Sequence, residues 1–197
     1  GEKRFLEAAR RAVAYERGLF NAKARNWPDF RNSEKPGHFM NSWCHGAPGI
    51  ALSRLCLKGT DLWDSVAENE LISALETTSR ISGDRDNICC GGFGRSTILR
   101  IASDQVKENA WQEKADLIDA ESVVQSSHNG GQYRLSTMQG SLEIPGLFTG
   151  VSGIGLALLA NNTSIFILSR IMSGGLLTKE LLDTTKNAID QDKLDWV

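Results

Sequence analysis

The sequence predicts an all-α fold of helical hairpins stacked side by side, as in a solenoid or a closed toroid. Three observations carry this reading. A unit of amphipathic helix, loop, Gly-x-x-Gly and short apolar helix occurs three times. Its first glycines are Gly46, Gly91 and Gly150, separated by 45 and 59 residues, and fixed-order repeats of this size mark repeat architectures. Period-2 alternation is absent apart from a short extended piece suggested by Tyr133 and Leu135. Finally, 197 residues that are 41% hydrophobic and 23% charged suit a globular chain rather than a disordered one. The net charge of −2 argues against a nucleic-acid partner. The longest apolar stretch, 154–160, falls well short of the ~18–20 residues that span a bilayer, so no membrane span is expected.

Taken in order, residues 4–20 place Phe5, Ala8, Ala9, Ala12, Val13 and Leu19 at helical spacing, leaving Arg10, Arg11 and Arg17 for solvent. Asn26-Trp27-Pro28-Asp29 and Lys35-Pro36-Gly37 punctuate a loop. Residues 50–57 follow the first glycine pair and are apolar nearly all round, as buried helices are. Residues 62–79 are amphipathic, with Leu71, Ala74, Leu75 and Thr78 on one stripe and Glu68, Glu70 and Glu76 around it. The second glycine pair opens a helix over 96–102, and 106–125 is again amphipathic. The third pair opens the apolar helix 154–160. Apolar helices would form an inner ring and amphipathic helices an outer one, the glycines allowing close backbone approach where inner helices begin.

The cysteines sharpen the reading. Four in 197 residues, without a signal segment, fit a cytoplasmic protein with reduced thiols better than a disulfide scaffold. Trp43-Cys44-His45-Gly46 and Cys89-Cys90-Gly91 carry thiols at the glycine loops, whereas the third loop reads Phe148-Thr149-Gly150. If all inner helices start on one face, Cys44, Cys89 and Cys90 converge there. Three thiolates with an open fourth position describe a catalytic rather than a structural zinc site. The alternative is that they are buried thiols acting as small hydrophobes, which is the reading for Cys56 in mid-helix. Paired carboxylates, which a toroid glycosidase would need, are missing from the glycine loops.

Three segments carry a family resemblance. Trp43-Cys44-His45-Gly46-Ala47-Pro48-Gly49, Cys89-Cys90-Gly91-Gly92-Phe93-Gly94-Arg95 and Pro145-Gly146-Leu147-Phe148-Thr149-Gly150-Val151-Ser152-Gly153-Ile154-Gly155 resemble the lanthionine synthetase C-like cyclases. Within these they are most similar to the C-terminal cyclase domain of class II (LanM-type) lanthipeptide synthetases. Tyr15-Glu16, Leu19-Phe20 and Asn26-Trp27-Pro28-Asp29 resemble that branch as well.

The resemblance implies an α/α toroid with Zn²⁺ at one end of the ring, held by Cys44, Cys89 and Cys90. Cys-Cys stands where most members have Cys-His, as in a class II subgroup with an all-cysteine site. It implies a cyclase that adds peptide cysteine thiols to dehydroalanine or dehydrobutyrine, forming (methyl)lanthionine rings. Its partners would be a dehydrated precursor peptide and a dehydratase domain preceding Gly1. The family's acid, a histidine in a Gly-x-x-His-Gly motif, has no counterpart in the sequence. That leaves His45 as the best-placed acid/base or substrate contact. Three glycine-loop helices are too few to close a toroid. Residues 1–160 therefore read as the C-terminal part of a cyclase domain, and 161–197 as a divergent, helical tail. The competing reading is a truncated, non-catalytic zinc-binding remnant or peptide-binding module.

Overall fold

The computed structural model describes residues 3–31, 37–82, 85–135 and 144–160. The expected helical tail, 161–197, lies outside the described residues. Among these, six helices account for all regular structure: α1 (Lys3–Gly18), α2 (Ala47–Leu57), α3 (Ser65–Thr78), α4 (Gly92–Val106), α5 (Asn109–His128) and α6 (Val151–Ala160). Pairing of extended backbone is limited to isolated bridges at Asn21 with Asn26, Pro28 with Phe39 and Asn41 with Gly46. The fold class is all-α, as the repeats predict.

The two kinds of helix sort into layers. In α4, residues 92–102 are all buried, while α2 buries Ala47, Pro48, Ala51, Leu52, Arg54 and Leu55. The amphipathic helices bury one face each, Leu71, Ala74, Leu75 and Thr78 on α3 and Trp111, Ala115, Ile118 and Ser122 on α5. α2 packs on α3 and α4 on α5, and α4 also touches both α2 and α6. Inner helices thus stand beside one another with an outer helix behind each hairpin. One core unites them, with Leu52, Leu75, Ile98, Leu99, Ile118 and Ile154 among its members.

Local chemistry fixes the boundaries. α2 starts inside the glycine motif, with Pro48 in its first turn, where a missing N–H breaks no helical bond. α3 starts at Asp64, whose carboxylate accepts the Ala67 N–H at 2.7 Å. α4 ends at Lys107, in the left-handed region at φ 58°. Tyr133 to Leu135 forms no strand; the Asp86 N–H donates to the Arg134 carbonyl at 2.8 Å instead.

Two charged residues depart from the sequence reading. Arg54 lies within the apolar run of α2 and is 0% exposed. Its Nε donates to Glu70 at 2.8 Å and its Nη1 to Glu16 at 2.7 Å. Arg17, expected to face solvent, donates to the second Glu70 oxygen at 3.0 Å and to Asp64 at 3.1 Å. This chain of charges ties α1 to α2 and α3. Charges leave water only when paired in this way.

Candidate metal centre

The three glycine loops share one backbone path. A Cβ on the second glycine would stand 2.3 Å from the Trp43 carbonyl oxygen at Gly49. At Gly94 it would stand 1.8 Å from that of Ile88, and at Gly153 1.8 Å from that of Leu147. Each obstacle lies six residues back, so every loop folds over the start of its inner helix in the same way and only glycine admits it. Cys44, Cys89 and Phe148 consequently hold equivalent positions two residues before the first glycine, and His45, Cys90 and Thr149 the next.

Equivalent loops on adjacent inner helices meet. The Cys89 N–H donates to the Phe148 carbonyl at 2.8 Å, and Ser42 Oγ lies 3.5 Å from the Cys90 carbonyl oxygen. Trp43 and Phe148 stack at 5.0 Å, with their rings 10° from parallel. The Sγ atoms of Cys44, Cys89 and Cys90 all lie within 4.8 Å of one another, and those of Cys44 and Cys90 are 3.6 Å apart. A tetrahedral zinc with Zn–S bonds of ~2.3 Å requires sulfur–sulfur edges of roughly 3.8 Å. The donor set therefore fits a thiophilic metal without rearrangement of the loops. Two residues adjacent in sequence supply two of the donors and a residue 45 positions earlier supplies the third.

The thiols do not titrate alike. Hydrogen bonding from Cys89, then from Cys44, and the nearby Arg85 guanidinium bring the Cys90 thiol down to about 5. The hydrogen bond with Cys90, then partial burial, push Cys89 up, and partial burial is the main cause of the upward shift at Cys44. The cluster favours one thiolate to begin with, the form that binds metal. A second cation stands on the same rim. Arg31 forks onto the buried carboxylate of Asp29, with Nη2 at 2.7 Å and Nε at 3.0 Å. It holds the Asp29 carboxyl well below the usual carboxylate range and feels the charge of Cys44 and Cys90.

His45 is half-buried beside the cluster, and its Nδ1 has no hydrogen-bond partner among the described residues. Its N–H donates to the Ser42 carbonyl at 3.2 Å, and its own carbonyl accepts the Ser42 N–H in return. The ring is thus presented from a closed turn. Cys56 lies outside the cluster and is exposed, contrary to the buried role its apolar helix suggests, because it shares the outward face of α2 with Gly49 and Ser53 while Arg54 and Leu55 beside it are buried. Arg95 is buried and donates to the carbonyls of Thr78, Arg80 and Ser82, closing the end of α3. The sequence marks Asn26 and Asp29 only as part of a loop and of the family resemblance, and it gives Arg31, Arg85 and the buried Asn87 no signal, since each matters only once the loops are folded.

The family model described as Lanthionine synthetase C-like protein matches residues 1–165. No curated protein matches the chain. Among the described residues, no helix is long and apolar enough to cross a membrane.

Proposed function

The chain belongs to the lanthionine synthetase C-like family, and from that premise we propose that it is the C-terminal part of a zinc-dependent lanthipeptide cyclase. Residues 1–160 form the cyclase part, 161–197 the divergent tail. The substrate is a dehydrated precursor peptide, delivered in the cytoplasm by a dehydratase domain preceding Gly1. The observation that carries this reading is the meeting of Cys44, Cys89 and Cys90 at the mouth of the glycine loops.

In the reaction the peptide sulfur bonds to the β carbon of dehydroalanine or dehydrobutyrine. The alkene π bond breaks, the thiol gives up its proton and the α carbon takes one. Zinc, when bound, would supply a Lewis acid that lowers the pKa of a peptide thiol from its ordinary ~8.5. Cys44, Cys89 and Cys90 would hold that ion. His45, one residue beyond a ligand and half-buried beside the cluster, holds the proton destined for the α carbon. The stacked Trp43 and Phe148 rings join the first and third glycine loops through an apolar contact. Arg31 and Arg85 offset the negative charge that collects as thiolates assemble.

Cyclisation leaves mass unchanged but consumes one free thiol per ring, so alkylation of the product counts rings. Zinc-loaded protein, alone and with a supplied N-terminal half of the toroid, is expected to lower the alkylated thiol count of a dehydrated precursor. Cys44→Ala should abolish this, and His45→Asn should slow it ~10²-fold or more. Thiol counts that stay at the uncatalysed level in both mixtures would leave the second reading, a zinc-binding remnant or peptide-binding module.

A further inference from the structure

Neighbouring side chains on an extended backbone point to opposite sides, so Cys89 and Cys90 can face one ion only if the chain turns beneath them. We propose that Asn87 is the positioning residue that imposes this turn and couples the metal centre to the third repeat. The inference rests on the zinc reading of the three thiols.

Asn87 is 3% exposed, and its polar groups meet three different partners. Its side-chain oxygen accepts the Cys90 N–H at 2.8 Å. Its carbonyl accepts the Gly91 N–H at 2.9 Å. Together these make residues 88–90 a single helical turn with Asn87 as its cap. Its Nδ2 donates to the Leu135 carbonyl. With the Cys89 N–H committed to the Phe148 carbonyl, both backbone donors of the Cys-Cys pair are fixed by partners outside it.

The tether is anchored next door. Asp86 is 0% exposed and grips Arg134 through Nη2 at 2.6 Å, Nε at 3.1 Å and the backbone N–H at 2.7 Å. Arg134 also bonds Glu121 on α5. Segment 133–135 is thereby pinned against the turn that presents two of the three thiols. A residue with a short side chain, an acceptor and a donor is needed to cap and tether at once, and asparagine meets all three conditions. Ser keeps the acceptor and gives up the tether, and Ala gives up both.

The test uses the full chain, with zinc affinity measured by chelator competition and the site read by cobalt(II) substitution. The sulfur-to-cobalt charge-transfer band reports how many thiolates bind, which a purely structural role would not move. Asn87→Ala is expected to weaken zinc ~10–100-fold, the range for residues that orient ligands, and to lower the band by one thiolate's share while the helical signal persists. Asn87→Ser should return the affinity to within a few-fold of wild type. Wild-type affinity and spectrum in Asn87→Ala would overturn the proposal, as would an Asn87→Ser as weak as Asn87→Ala. Should Asn87→Ala lose its helical signal, Asn87→Ser decides alone, with a three-thiolate band expected and a two-thiolate band contradicting. A wild-type chain that binds neither metal overturns the three-thiol reading itself, and this inference with it.

Discussion

Gly94→Ala tests whether the glycine loops share the path described. A Cβ there would stand 1.8 Å from the Ile88 carbonyl oxygen and 2.8 Å from its carbonyl carbon. Non-bonded heavy atoms need ~3.5 Å, so the loop backbone must retreat by more than an ångström. It cannot do so freely, because Ile88 is 0% exposed and Cys89 is bonded to Phe148. Overpacking of this kind costs ~1–3 kcal/mol, and a backbone obstacle places it at the upper end. For a chain of this size each kcal/mol moves Tm by roughly 2–4 °C, so a fall of roughly 6–12 °C is expected in thermal melts. The displaced Ile88 precedes Cys89, so zinc affinity should fall too. Gly155→Ala is the control, since none of the described residues lies within 4 Å of its Cβ position. Replacing a mid-helix glycine by alanine should stabilise by ~0.5–1 kcal/mol, and Tm should rise. Gly94→Ala melting with wild type, or both variants losing stability alike, would contradict the shared loop path.

Three further outcomes follow from the side-chain contacts. Arg54→Met should cost about 3 kcal/mol, the low end for removing one partner of a buried ion pair, because the Glu70 carboxylate loses Arg54 but keeps Arg17, and Arg54→Met/Glu70→Met should recover part of it in denaturant unfolding. Asp29 carries a depressed carboxyl in the folded state, so its contribution is full above the unfolded value near ~3.9 and is lost as pH falls below that. Asn at this position should flatten the acid limb of Tm against pH, and an unchanged acid limb would contradict the ion pair. Cys56 is exposed and outside the cluster, so a thiol reagent should label it in zinc-loaded protein and label all four cysteines once zinc is chelated.

Much of the site was legible because repeats convert spacing into position. Cys44 and Cys89 occupy the same place in successive units, so predicting one shared loop path placed them together, and Cys90 followed as the next residue. The helices were legible for a similar reason, from apolar periodicity and the glycine pairs. Arg54 was not, since a charge inside an apolar run reveals its partner only when the rotation of α1 and α3 about their axes is known. Glu70 looked like one of several solvated acids on α3 for the same reason. Asn87 and Asp29 act through single hydrogen-bonded turns, and ordinary loop asparagines and aspartates look no different in sequence. Cys56 looked buried because the apolar run hides which face of α2 turns outward, and Cys56 lies on that face with Gly49 and Ser53.

The claim on which the rest depends is that three protein thiolates share one ion. Zinc-edge X-ray absorption on the purified full chain measures this directly. About one zinc per chain is expected, with three sulfur neighbours at ~2.3 Å and a fourth, lighter ligand. A shell dominated by nitrogen and oxygen, or the same three-sulfur shell in Cys89→Ala, would contradict it.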